Sequence, residues 1–125
     1  MNTTDIGRFG ERSACEYLKS KKYKIIKQNF FASHNEIDII AENSKYIVFV
    51  EVKTRSVSNN PEYGTPASAV TYAKQKRTLA AAQSYLNENK TKKFPRLDVI
   101  EVYVSRANGT LEVVSINHME NAFGN

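Results

Sequence analysis

The chain has 125 residues, enough for one domain that buries about two-thirds of its unfolded surface, and its 41% hydrophobic and 25% charged residues are those of an ordinary globular protein. A single cysteine, Cys15, excludes an internal disulfide framework and a thiolate zinc site, and suits a reducing cytoplasm. The net charge of +5 permits a polyanionic partner, while "MNTTDIGRFGERSACEYL" lacks an apolar run long enough for a signal peptide or a membrane span, so a cytoplasmic protein is expected.

In chain order, Thr4 reads as an N-cap, and Ile6, Gly10, Ala14, Tyr17 and Leu18 then keep helical spacing to about residue 20. Gly7 and Gly10 would let this helix approach a sheet closely, and Cys15 reads as a buried thiol on its apolar side. "KKYKIIKQNFF" is rich in β-branched and aromatic residues and predicts a strand over about 23–31. Two more strands follow near 36–41 and 46–53, joined by a short polar turn. "SVSNNPEYGTP" is a loop by composition. "ASAVTYAKQKRTLAAAQSYLNEN" predicts the second helix, with Thr71 as the N-cap of its main part. "TKKFPR" breaks it, and "LDVIEVYV" and "LEVVSI" form a hairpin around "RANG". The order α-β-β-β-α-β-β predicts a single α/β domain over residues 1–125, a mixed sheet flanked by helices.

The second and third strands carry Glu36, Asp38, Glu51 and Lys53 inside apolar runs, and a half-buried carboxylate needs a partner or a cation. With the turn at 43–44, Glu36 faces Glu51 and Asp38 faces Phe49. Alternation then places Ile37, Ile39, Val48, Val50 and Val52 on one apolar face. The other face holds the four charged residues at one end and Ile40, Ile47 and Phe49 at the other. Asp38 falls diagonal to Glu51, roughly 7–8 Å away at Cα, within reach of a shared ion. A divalent cation would relieve the repulsion among these carboxylates, and all-oxygen ligation by Asp38 and Glu51 suits Mg²⁺ or Mn²⁺. The competing reading is a cross-strand Lys53–Glu36 ion pair on a solvated face.

"EID" followed by "VFVEVK" resembles the D…(D/E)xK signature of restriction-endonuclease-like nucleases. The blocks "GRFGERSACEYL", "NEIDIIA", "VFVEVKTR", "AVTYAKQKR", "RLDVIEV" and the terminal "NAF" together resemble the YraN-like uncharacterised proteins, small relatives of archaeal Holliday-junction resolvases. The resemblance implies a restriction-endonuclease-like mixed β-sheet. It also implies a magnesium-dependent endonuclease in which Asp38 and Glu51 bind metal, Lys53 is the catalytic lysine and Glu11 of the first helix is a further acid. Asn35 stands where that family usually has Gly, and Tyr72 where it usually has Pro.

"AKQKR" sets Lys74 and Arg77 on one side of the second helix, with Lys76 pointing elsewhere. Arg55 follows the catalytic strand, and Lys90, Lys92, Lys93 and Arg96 add charge further on. Beside a phosphoryl site this set reads as phosphate contact to DNA, foremost Arg55, Lys74 and Arg77, by shape and not by base sequence. His34 shares the parity of Glu36 and Lys53 and reads as a loop residue near the site. His118 carries no signal, and Tyr63 and Tyr72 flank the loop where either could stack on a base. Three functions are consistent with this set: an endonuclease acting on structured or branched DNA, for which the resemblance to resolvases, which work as dimers, makes a homodimer possible; a DNA-binding module without turnover; and a protein-interaction component of a DNA-processing complex.

Overall fold

The computed structural model describes residues 3–32, 34–57 and 72–122. Most of the expected loop, with Tyr63, Thr71 and the final Phe123, lies outside them. Helix α1 (Thr3–Ser20) carries Asp5 in its first turn and Lys19 in its last, each sign at the helix end that favours it. Thr4, expected as its cap, falls inside the first turn. The helix closes where Lys22 takes a left-handed φ of 74° and the Tyr23 N–H donates to the Leu18 carbonyl at 3.0 Å.

Strands β1 (Lys24–Ala32), β2 (Asn35–Glu42) and β3 (Tyr46–Ser56) precede helix α2 (Tyr72–Glu88), and β4 (Phe94–Ala107) and β5 (Thr110–Met119) follow it. They form one five-stranded sheet in the order β1-β2-β3-β4-β5, antiparallel throughout except for the parallel β3–β4 pair. The fold is the expected α/β mixed sheet flanked by helices. Among the described residues no helix is long and apolar enough to cross a membrane.

Each face of the sheet is buried. Ala14 and Leu18 of α1 pack on Ile39, Val48, Val50, Ile100 and Val102. Ala81, Ala82 and Tyr85 of α2 pack on Ile37, Ile40, Ile47 and Phe49. Ile37 therefore belongs with the α2 side, opposite to the face that strict alternation predicts. In the adjacent β1, Asn29 has a left-handed φ of 54°, and the β1–β2 ladder shifts register between Ile25 and Lys27.

The β2–β3 register also differs from the sequence reading. Ile39 pairs with Val50 and Ile40 with Phe49, a two-residue shift that preserves parity but removes the expected Asp38–Phe49 and Glu36–Glu51 pairs. Asn43 is the cause. Its Oδ1 accepts the Lys45 and Tyr46 N–H groups at 2.9 and 2.7 Å, and its own N–H donates to the Tyr46 carbonyl at 3.0 Å. Asn43 thus opens the turn, and Ser44–Lys45 forms its tip.

"FPR" is strand and not a break, because β4 pairs with β3 from Phe94 onward. The Phe94 N–H donates to Lys45 on the β3 side at 3.0 Å, so Pro95 turns its donorless nitrogen the other way. There β5, whose ladder reaches only Val99, does not extend. The β4–β5 hairpin turns through Asn108 and Gly109, both at positive φ, as a two-residue loop requires.

Arg96, expected on a basic surface, is buried. Its Nε and Nη2 grip the fully buried Asp98 at 2.9 and 2.8 Å, and Nη2 also donates to the Tyr23 hydroxyl at 2.6 Å. Asp98 further accepts the Asn121 N–H at 2.9 Å and lies 2.6 Å from His118 Nε2, whose Nδ1 meets the Tyr17 hydroxyl at 3.1 Å. His118 is thus part of a buried network that ties α1, β4 and the end of β5 together. Asp98→Ala would leave the buried Arg96 with only the exposed Glu120, 3.5 Å away, as an anion, and urea denaturation should show a loss of about 3–5 kcal/mol. Adding Arg96→Met should recover much of that loss.

Candidate active site

The ladder between β2 and β3 ends at Ile39 and Val50. Just beyond it the Val52 N–H donates to Asp38 Oδ2 at 2.8 Å, so a side-chain carboxylate stands in for a strand carbonyl. Past this point β3 runs on beside β4 alone. Alternation then turns Glu51 and Lys53 to the same side as Phe49, under the start of α2.

Glu51 is buried, and two ammonium groups converge on its Oε1: Lys53 Nζ at 3.3 Å and, in direct contact, Lys74 Nζ from α2. Lys53 therefore pairs with Glu51 and not with Glu36. From the opposite side of the sheet α1 delivers Glu11. The approach is close because Gly10 has no side chain; a Cβ there would collide with the Thr54 side chain. Asn29, with its amide oriented to suit its neighbours, donates to Glu11 Oε1 at 3.2 Å and to Glu36 Oε1 at 2.7 Å. The left-handed residue of β1 thus bridges two acids of the site.

These surroundings perturb the charges. Burial and the neighbouring Glu51 carboxylate push the Asp38 carboxyl up to about 7, against the opposing pull of the Val52 N–H. Burial, then Glu36 and Glu51, raises Glu11. Burial and the adjacent Lys74 lower Lys53. Burial disfavours the charge on Lys74 as well, but its contact with Glu51 prevails and raises it.

A cleft of about 390 Å³ opens over the site, lined by His34, Asn35, Glu36, Asp38, Glu51, Lys74, Arg77 and Thr78. Glu11 and Lys53 line a second hollow of about 290 Å³ with Ile6, Gly7, Val52, Thr54 and Ser56. Among the described residues no three His, Cys, Asp or Glu side chains are arranged to hold a metal. Asp38 and Glu51 fit a hard cation in their donor chemistry, because both are carboxylate oxygen donors and the Glu51 charge works against ionisation of Asp38. Magnesium commonly uses one or two carboxylates and completes its shell with water and phosphate oxygens.

The structure brings Glu11, Asp38, Glu51, Lys53 and Lys74 together and sets the exposed Arg77 at the cleft rim. Lys74 is drawn into the site, not left on a helix flank. Arg55 is half-buried, with a buried Nε that has no partner. Lys93 pairs with Glu42 at 3.2 Å, and Lys76 lies 4.7 Å above the Tyr72 ring. His34, at a left-handed φ of 64°, is exposed at the cleft. Asn29 and the role of Lys74 escape sequence reasoning. The signal for Asn29 is an asparagine before "FF" in a strand, a residue that tolerates positive φ.

The model of the uncharacterised protein family UPF0102 matches residues 10–102, a span that contains every residue of the cleft and its walls named above. The chain is similar to a UPF0102 protein of Caldanaerobacter subterraneus, at 43% identity over 124 residues and 98% of each chain. It is similar also to UPF0102 proteins of Caldicellulosiruptor saccharolyticus, at 40% over 98% of this chain and 100% of that one, and of Clostridioides difficile, at 41% over the same shares.

The raised Asp38 carboxyl has a consequence for stability without added metal. The folded state holds this proton to about pH 7, whereas the unfolded chain releases it near the ordinary value of 3.8. The group therefore favours folding most below about pH 4, and that contribution is lost as pH rises toward and through about 7. Asp38→Asn should remove this slope, so urea unfolding in EDTA should favour the variant over the wild type more at pH 8 than at pH 5.

Proposed function

The chain belongs to the uncharacterised protein family UPF0102, and we propose that it is a magnesium-dependent, restriction-endonuclease-like endodeoxyribonuclease acting on structured or branched DNA. The observation that carries this reading is the half-buried Asp38 and the buried Glu51 beside Lys53 on a strand edge freed from its neighbour. Asp38 and Glu51 would hold the Mg²⁺ or Mn²⁺. The bound ion would polarise the phosphate and lower the pKa of an attacking water.

The protein's own groups divide the remaining work. Lys53 places a positive charge where negative charge accumulates on the phosphate during hydrolysis. Asp38 is kept in place by the Val52 N–H, so its carboxylate need not reorganise. Arg77 at the rim and Lys74 within the cleft offer cations to the DNA backbone. Glu11, held with Glu36 by Asn29, adds a carboxyl on the far side of the lysine.

A DNA-binding module without turnover has one observation in its favour. Lys53 and Lys74 already neutralise Glu51, as ammonium groups would do in a site that no longer takes a metal. Cleavage assays on duplex, flap, fork and four-way-junction DNA, with and without Mg²⁺, separate the two. The nuclease reading expects metal-dependent cleavage of a branched substrate; absence of cleavage on all of them with Mg²⁺ or Mn²⁺ selects the binding module. Single-turnover rates for Lys53→Met should fall about 10²–10³-fold while DNA affinity is kept. Asp38→Asn and Glu51→Gln should lose Mg²⁺ binding by calorimetry and remain folded. Arg77→Ala should weaken binding to all DNA sequences alike and flatten its salt dependence by about one unit.

A further inference from the structure

Glu101 of β4 is fully buried, yet only one of its carboxylate oxygens is used. Oε1 accepts the Asn117 side-chain N–H at 2.7 Å, and Oε2 has no hydrogen-bond partner among the described residues. A buried carboxylate half-satisfied in this way is costly, and it calls for a cation. In the parallel ladder the residue directly opposite Glu101 is Lys53, and directly opposed residues of neighbouring strands share a face.

Lys53 does not pair with this neighbour. It leans along its own strand to Glu51, where Lys74 is already seated. Two ammonium groups then share one carboxylate oxygen, while across the ladder Glu101 makes no ion pair among the described residues. A divalent ion on Glu51 would repel both lysines. Lys74, with 32% of its side chain exposed, can move out into the cleft. Lys53, at 19%, lies deeper on an inner strand and needs a buried anion to receive it.

We infer that Glu101 is the second seat of Lys53: when a divalent cation takes Glu51, the lysine ammonium moves across the ladder to the unpaired oxygen of Glu101. Cation binding and lysine placement then form one event, and Glu101 is a positioning residue that acts through Lys53. This inference rests on the metal site proposed above.

The test uses the whole chain and Mg²⁺ alone, without DNA. By calorimetry Glu101→Gln should bind Mg²⁺ about tenfold more weakly than the wild type, because the displaced lysine has lost its charged acceptor. In a Lys53→Met background the same substitution should have no effect, which a merely structural role for Glu101 would not produce. In the wild type, NMR of the lysine Cε–Hε groups should show the Lys53 signal, assigned through Lys53→Met, shifting as Mg²⁺ is added; this measurement does not depend on the folding of a Glu101 variant. Equal Mg²⁺ affinity for Glu101→Gln and the wild type, an equal loss in both backgrounds, or a Lys53 signal unmoved by bound Mg²⁺ would each overturn the exchange. A wild-type chain that binds neither Mg²⁺ nor Mn²⁺ would overturn the metal site itself, and the exchange with it.

Discussion

Everything at the site follows from the parting of β2 and β3. A strand that leaves its neighbour inside a domain must still satisfy its backbone, and the Asp38 carboxylate does this for Val52. That single hydrogen bond fixes the carboxylate in a place where water is scarce and Glu51 is near. It also leaves the last stretch of β3 with one open side, so that Glu51 and Lys53 can be reached. The close approach of Gly10 to Thr54 then sets how far α1 can lean over the opening, and so where Glu11 stands.

The two ends of the central strands differ in kind. Near the start of β4, Arg96, Asp98, Tyr23 and His118 meet one another's hydrogen-bonding needs, and the carboxyl of Asp98 is held below its usual range by His118, Arg96 and the Asn121 N–H despite its burial. Toward the end of β3 the charges are in conflict: a carboxylate is pushed to hold its proton, two ammonium groups share one oxygen, and Glu101 is half-satisfied. Both clusters contain buried ions, but only the second would change state on meeting a ligand. Conflict of this kind marks working sites more often than structural ones. The conflict lies within the parallel β3–β4 ladder itself, where Glu51 stands opposite Val99 and Lys53 opposite Glu101.

Element order and the convergence of Asp38, Glu51 and Lys53 were legible because they depend on period-two alternation, which survives a register shift of two residues. The register itself was not. Choosing between Asn43–Ser44 and Ser44–Lys45 as the turn requires knowing that the Asn43 side chain binds the backbone ahead of it. The face taken by Ile37 was hidden as well, since alternation along β2 does not hold between Ile37 and Ile39, which pack on opposite sides of the sheet. Lys74 and Arg96 look alike in sequence as members of a basic set. Their fates diverge through partners distant in the chain, Glu51 for one and Asp98 with Tyr23 for the other. The Schellman-type end of α1 at Lys22 was likewise invisible, because the usual glycine is missing there.

The parallel pair at the centre also governs how the chain reaches its native state. Its ladder joins partners as far apart in sequence as Tyr46 and Phe94, and the whole of α2 must be made before the first of these contacts can form. Local hairpins β1–β2–β3 and β4–β5 can assemble early, but neither covers the apolar edge that the other will occupy. Contacts of such long sequence separation slow folding, since loop closure must precede any gain from pairing. On the ribosome, β3 therefore waits with its inner edge bare until β4 emerges, and in that interval the nascent chain is most open to capture by a chaperone or by another strand.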